Sequence, residues 1–107
     1  MKVTFFRDSD GRLTGFQVKG HAGYDDYGKD IVCSAVSALT LNTVNSVETL
    51  CHGTVSVLEQ DEEEGFLRFM VENPSKESEL LLNSLSLGIR SVGESYDSFI
   101  EIDFQEE

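Results

Sequence analysis

Four residue types that act together in catalysis lie within one short segment, GHAGYDDYGKDIVCSAVS, which spans residues 20–37. His21 stands twelve residues before Cys33, with Asp30 between them and Ser37 one helical turn after the cysteine. A thiol next to an imidazole can act as a nucleophile near neutral pH, because the imidazole takes the proton of the thiol. We therefore treat His21 and Cys33 as the candidate catalytic pair.

The predicted position of Cys33 adds to this hypothesis. If Asp30 is the N-cap of a helix, Cys33 is its third residue, where free backbone N–H groups and the helix dipole favour a thiolate. We therefore expect a lowered thiol pKa, and we expect N–H groups at the helix start to stabilise an oxyanion. Ser37 lies on the same helix face as Cys33, where it can orient the pair or a bound carbonyl.

A purely structural interpretation of the same residues stays open at this point. A cysteine near a helix start is often a small buried side chain, and an aspartate there is often only a cap. In that case His21 is a surface residue at the end of a strand. The feature that favours catalysis is the glycine-rich loop that joins the two groups, because such a loop can bring His21 back to Cys33.

That loop carries the remaining candidate residues. Gly20, Gly23 and Gly28 give it conformational freedom, and Tyr24 and Tyr27 stand among its charged residues. The loop has no apolar periodicity, so we predict that it is mobile and closes over an extended peptide, with the tyrosines available for apolar contact.

The two cysteines and two histidines also suggest a zinc site. Cys33 and Cys51 are 18 residues apart on one predicted helix, which separates them by about 27 Å. They can neither share a metal ion nor form a disulfide with each other. We therefore predict no metal and no cofactor, and we interpret Cys51 as a buried residue and His52 as a charge complement at the end of that helix.

Hydrophobic patterning predicts a single α+β domain, residues 1–107, in which two helices pack on a β-sheet in the order ββαββαβ. The predicted strands span residues 2–7, 13–19, 54–60, 66–71 and 96–104. The first helix runs from Asp30 to His52 and stops at Gly53, and the second starts at residues 73–75. The apolar stripes of the two helices are Val32, Ala35, Val36, Leu39, Thr43, Val47 and Leu50, and Leu81, Leu85, Ile89 and Val92.

Composition limits the function classes. The formal net charge of −12 disfavours binding to nucleic acid or an anionic membrane. No apolar run is long enough to span a bilayer, the N-terminus lacks a signal peptide, and two cysteines are too few for a secreted disulfide scaffold. These features predict a cytoplasmic protein. The small size and the run Leu80-Leu81-Leu82 favour a homodimer.

The motifs G-H-A-G-Y and D-I-V-C-x-A-V-S resemble the ribosomal-processing cysteine protease family, known as Prp, and the similarity extends over essentially the whole chain. The resemblance implies that His21 and Cys33 are the catalytic pair and that Gly20, Asp30 and Ser37 support the site. Asp30 is then the best candidate by motif for a third residue that orients the imidazole. Ser34 stands where relatives usually carry alanine.

The same resemblance implies a cytoplasmic, dimeric endopeptidase that removes a short N-terminal extension from a large-subunit ribosomal protein, the twenty-seventh in the large-subunit numbering. The extension would end in hydrophobic and aromatic residues before a small residue. An acidic chain suits such a basic client. The alternative is a non-catalytic acidic module that binds a basic ribosomal protein or an assembly intermediate. A redox sensor is weaker, because no resolving cysteine is near Cys33 in sequence.

Overall fold

Five strands and two helices follow one another in the predicted order ββαββαβ, in a computed structural model that describes residues 1–26, 29–51 and 54–107. The α+β fold class is therefore confirmed. The elements are β1 (Lys2–Arg7), β2 (Leu13–Lys19), α1 (Ile31–Leu50), β3 (Thr54–Asp61), β4 (Phe66–Glu72), α2 (Lys76–Ser95) and β5 (Glu101–Glu106).

The strands form one sheet in the order β3-β4-β2-β1-β5, in which only the β1–β5 pair is parallel. The register aligns Phe104, Phe5, Phe16 and Phe69 on four neighbouring strands. Successive ring centroids in this row are 5.3, 6.5 and 5.7 Å apart. Such cross-strand aromatic pairs stabilise a sheet and fix its register. The three fully buried rings, Phe5, Phe16 and Phe69, form the centre of the core, and the partly buried Phe104 packs against them.

Both helices pack against this core, but the buried face of α2 differs from the predicted stripe. Leu82 is fully buried, and Ser78 and Ser86 face inward beside it. Their hydroxyls donate to the carbonyls of Ser75 and Asn83 within the helix, so burying them leaves no unsatisfied donor. Hydropathy does not reveal inward-facing serines. Leu50 at the end of α1 is 68% exposed, so its assignment to the core was wrong.

Some element boundaries next to turns differ from the predicted ones. The last strand starts at Glu101 and not at residue 96, because the N–H groups of Tyr96 and Phe99 bond to the carbonyls of Val92 and Tyr96 in a turn. Helix α1 ends at Leu50 with Cys51 as its C-cap, and Cys51 is partly buried instead of buried. The roles predicted for His52 and Gly53 lie outside the described residues.

Candidate active site

A groove of about 910 Å³ runs between the end of β2, the first half of α1 and the hairpin that joins β3 to β4. The residues that the sequence indicated for chemistry line this groove together. They are Gly20, His21, Gly23, Asp30, Cys33 and Ser37. The fold therefore brings the candidate pair and its supporting residues to one surface.

Asp30 is the N-cap of α1, as predicted, and it also holds the preceding loop. One carboxylate oxygen accepts hydrogen bonds from the N–H groups of Val32 and Cys33, each at 3.0 Å. The other accepts from the N–H groups of Tyr24 at 2.9 Å and Asp25 at 3.5 Å. Burial opposes ionisation of this side chain, but the backbone donors outweigh it and lower its pKa. Asp30 therefore links loop and helix as a carboxylate.

Cys33 occupies the third position of α1, and its sulfur accepts a hydrogen bond from the backbone N–H of Ala22 at 3.2 Å. The expected lowering of the thiol pKa is wrong for this structure. Burial raises the pKa of Cys33, and the nearby Asp30 carboxylate raises it further, which outweighs the Ala22 donor. The surroundings of Cys33 therefore favour the thiol over the thiolate.

Three of the N–H groups at the start of α1, where an oxyanion site was expected, donate hydrogen bonds within the protein. Those of Val32 and Cys33 donate to the Asp30 side chain, and that of Ser34 donates to the Asp30 carbonyl. The helix cap and an oxyanion would compete for the same donors. The Ala22 N–H is a described donor that contacts the Cys33 sulfur itself.

His21 follows the end of β2 directly after Gly20, whose φ of +85° turns the chain out of the strand. The imidazole Nε2 lies 2.9 Å from the carbonyl oxygen of Glu63 on the β3–β4 hairpin. The backbone carbonyl of His21 accepts a hydrogen bond from the nitrogen of Met1 at 3.2 Å. Contacts at both ends of the residue thus determine where the ring lies.

The loop residues divide into two groups. Gly23 has a φ of +71°, and the ring of Tyr24 packs edge-on against Tyr96 and Phe99, with centroids 5.4 and 5.2 Å away. The first part of the loop is therefore anchored by Tyr24 and by the Asp30 carboxylate. The predicted substrate-contact residues Tyr27 and Gly28 lie outside the described residues.

Ser37 is exposed on the groove one turn beyond Cys33, as the helical spacing predicted, and Ser34 is exposed on the same groove. Among residues 1–26, 29–51 and 54–107, no three His, Cys, Asp or Glu side chains are arranged to hold a metal ion. Over the same ranges no helix has the length and hydropathy needed to cross a membrane.

Sequence reasoning missed one wall of the groove, the tip of the β3–β4 hairpin. The acidic residues there carry no recognisable catalytic motif, yet several of them line the groove with neighbouring hairpin residues. These are Gln60, Asp61, Glu62, Glu63, Gly65, Phe66 and Leu67. The sequence signal for this wall is the glycine directly after the acidic turn, since Gly65 lies against Gly20 and His21.

Comparison with known proteins points to one family. The family model described as cysteine protease Prp matches residues 1–101. The ribosomal processing cysteine protease Prp of Staphylococcus aureus is 26% identical over 98 residues, which cover 92% of each chain. Its counterpart in Bacillus subtilis is 23% identical over 107 residues, with 95% of each chain covered.

Solved structures share the fold. The S. aureus protease in complex with a covalently linked product peptide superposes with a TM-score of 0.90 at 24% identity, covering 96% of this chain and 97% of that chain. SMU.848 from Streptococcus mutans superposes with a TM-score of 0.83 at 34% identity, covering 99% of this chain and 94% of that chain.

Proposed function

Because this chain belongs to the cysteine protease Prp family and is a cysteine-type peptidase, we propose that Cys33 is its nucleophile and His21 its general base. The proposed reaction removes a short N-terminal extension from a large-subunit ribosomal protein, the twenty-seventh. One observation carries the assignment. His21 and Cys33 line one groove, and Ala22, the residue after the histidine, donates its N–H to the Cys33 sulfur at 3.2 Å.

In the proposed mechanism, His21 takes the thiol proton while the Cys33 sulfur attacks the scissile carbonyl and forms a C–S bond. The Ala22 N–H moves its hydrogen bond from the sulfur to the developing oxyanion. The C–N bond then breaks, and the imidazolium gives its proton to the leaving amine. Water, activated by His21, hydrolyses the thioester and restores the thiol.

The raised pKa of Cys33 bears on the order of these events. A thiol with a raised pKa gives up its proton less readily, so we assign His21 the removal of that proton as the sulfur attacks. A partly buried thiol with a raised pKa also reacts slowly with alkylating and oxidising reagents.

The groove suits an extended peptide of a basic protein. Strand β3 is an edge of the sheet, and its residues Gln60 and Asp61 line the groove, so a peptide in strand conformation can lie along them. Asp61, Glu62 and Glu63 give this wall negative charge, and the whole chain carries a net charge of −12. Both features attract a basic client. Closure of the Gly23–Gly28 loop over the peptide remains part of the proposal.

The test is incubation with the ribosomal protein carrying its N-terminal extension, with mass spectrometry of the products. We expect one cleavage that releases the extension. Cys33→Ala and His21→Ala should each lose at least about 10³-fold in turnover, as removal of a nucleophile or its base does. Cys51→Ala is the matched control, since it removes the other thiol, at the far end of α1, and should keep full activity.

Binding of the precursor without cleavage would instead support the non-catalytic binding module. Turnover by Cys33→Ala near the wild-type rate would contradict the assignment of the nucleophile.

We also propose that the protein is cytoplasmic and forms a homodimer. Of the three consecutive leucines at 80–82, Leu82 is buried in the core and Leu80 is 70% exposed. Leu87, two helical turns along α2, is 62% exposed. Such apolar side chains on one helix face favour burial against a second copy. Light scattering at micromolar concentration should give about twice the chain mass of 11.9 kDa, and a monomer would contradict the proposal.

A further inference from the structure

We propose that the tip of the β3–β4 hairpin positions the catalytic histidine: the Glu63 carbonyl holds the Nε2–H group of His21, and the Asp61 side chain holds that carbonyl in place. The inference rests on the proposed role of His21 as general base. It makes Asp61 a positioning residue that acts through the backbone of Glu63.

The ring of His21 contacts the hairpin directly. Nε2 of His21 lies 2.9 Å from the Glu63 carbonyl oxygen, across 42 residues of sequence. A carbonyl oxygen only accepts hydrogen bonds, so Nε2 must be the donor and carry the proton. A neutral imidazole protonated on Nε2 has its basic lone pair on Nδ1. The hairpin thus selects the tautomer that takes the thiol proton on Nδ1.

Hydrogen bonds within the hairpin tip hold its backbone in one conformation. One oxygen of Asp61 accepts hydrogen bonds from the N–H groups of Glu63 at 3.1 Å and Glu64 at 3.3 Å. The Glu62 carbonyl accepts the N–H of Gly65 at 3.3 Å. These bonds fix the peptide units on both sides of the Glu63 carbonyl, as side chains of this type do in tight turns. The direction of the carbonyl therefore depends on Asp61.

The hairpin tip also packs closely against the end of β2, just before His21. Gly65 has a φ of +64°. A Cβ at this position would lie 2.7 Å from the carbonyl oxygen of Gly20 and 3.1 Å from Cε1 of His21. Only glycine fits both the backbone angle and the space. The tip is therefore packed directly against Gly20 and His21.

Asp30, the residue expected from the motif to orient the imidazole, is already engaged. Both of its oxygens accept hydrogen bonds from backbone N–H groups of the loop and of α1. A backbone carbonyl of the hairpin can perform the orienting function that a side-chain carboxylate performs in other cysteine and serine hydrolases. This arrangement also spares the site an additional negative charge.

The kinetic test compares Asp61→Ala with Asp61→Asn. Both remove the same charge, but asparagine keeps an oxygen that accepts the two N–H groups. We expect kcat to fall about 10- to 100-fold in Asp61→Ala, because a displaced catalytic group costs rate steeply. Asp61→Asn should restore kcat to within about threefold, and KM should be the same in the two variants because both remove the same charge. Asp10→Ala, which removes an exposed carboxylate from the turn between β1 and β2, should behave as wild type.

The spectroscopic test measures the tautomer of His21 by long-range ¹H–¹⁵N correlation, with a His52→Gln variant to assign the two histidines. We expect the Nε2–H tautomer in the wild type and in Asp61→Asn, and a mixture of tautomers in Asp61→Ala. This measurement needs no activity, so it tests positioning even if the proposed cleavage is not observed. If Asp61→Ala does not fold, the tautomer of His21 in the wild type and in Asp61→Asn still tests the inference.

Two results would overturn the inference: an Nδ1–H tautomer in the wild type, or equal kcat losses in Asp61→Ala and Asp61→Asn, which would assign the effect to charge. Failure of the proposed function has a different signature, namely full turnover by His21→Ala.

Discussion

Removal of the Asp30 carboxylate should destabilise the fold more than loss of an ordinary helix cap. The cap interaction with Val32 and Cys33 contributes about 1 kcal/mol. The bond from the Tyr24 N–H to the ionised, buried carboxylate contributes about 2 kcal/mol more. We therefore expect Asp30→Ala to lower the free energy of unfolding by about 3 kcal/mol, a large part of the total stability of a small domain.

Asp30→Asn separates the two contributions. An amide has one acceptor oxygen, so it can keep the helix cap but cannot also accept the Tyr24 N–H. We expect a loss of about 2 kcal/mol. Urea unfolding followed by circular dichroism measures both variants, with Asp26→Asn as a matched control in the same loop, because Asp26 is exposed. A loss below about 1 kcal/mol for Asp30→Ala would refute the reasoning.

The pH dependence gives a second check on the same carboxylate. The pKa of Asp30 in the folded protein lies below its ordinary value of 3.8. The ionised group therefore stabilises the fold above that pH, and this contribution is lost as the pH falls through the folded pKa. The difference in unfolding free energy between wild type and Asp30→Asn should be constant near neutral pH and shrink below about pH 4. If the difference in unfolding free energy at about pH 3 equals that at neutral pH, the lowered pKa of Asp30 is contradicted.

Three further outcomes are expected. Gly65→Ala should lower the melting temperature and kcat more than Gly11→Ala does. Both glycines have positive φ, but of the two only Gly65 has atoms close to where a Cβ would lie. Equal losses in the two variants would contradict this prediction. Alkylation of Cys33 should be slow at pH 7 and accelerate through and above the ordinary thiol pKa of 9.0, whereas fast labelling at neutral pH would show a thiolate. The Tyr24 amide should exchange slowly with solvent because it bonds to Asp30, and a peptide analogue should slow exchange of the Gly23 amide if the loop closes. A Gly23 amide that is already protected without ligand would show a fixed wall.

The sequence by itself determined the features that depend on near neighbours. Asp30 caps α1 and places Cys33 in its first turn because a cap bonds to N–H groups two and three residues away. Strands β1 and β2 begin and end as predicted, since alternating apolar residues around a short turn specify a hairpin locally. His21 and Cys33 come from the same short segment, and both line the groove.

Only the tertiary structure decided the features that depend on distant parts of the chain. The contact between His21 and Glu63 spans 42 residues and exists because β4 pairs with β2, which brings the hairpin tip over the end of β2. The direction of the Cys33 pKa shift depends on burial, which a helix position does not specify. Local rules predicted the helix that carries Cys33. Long-range packing decided the environment of Cys33 and the orientation of His21, because solvent exclusion and strand register arise only when the whole sheet is formed.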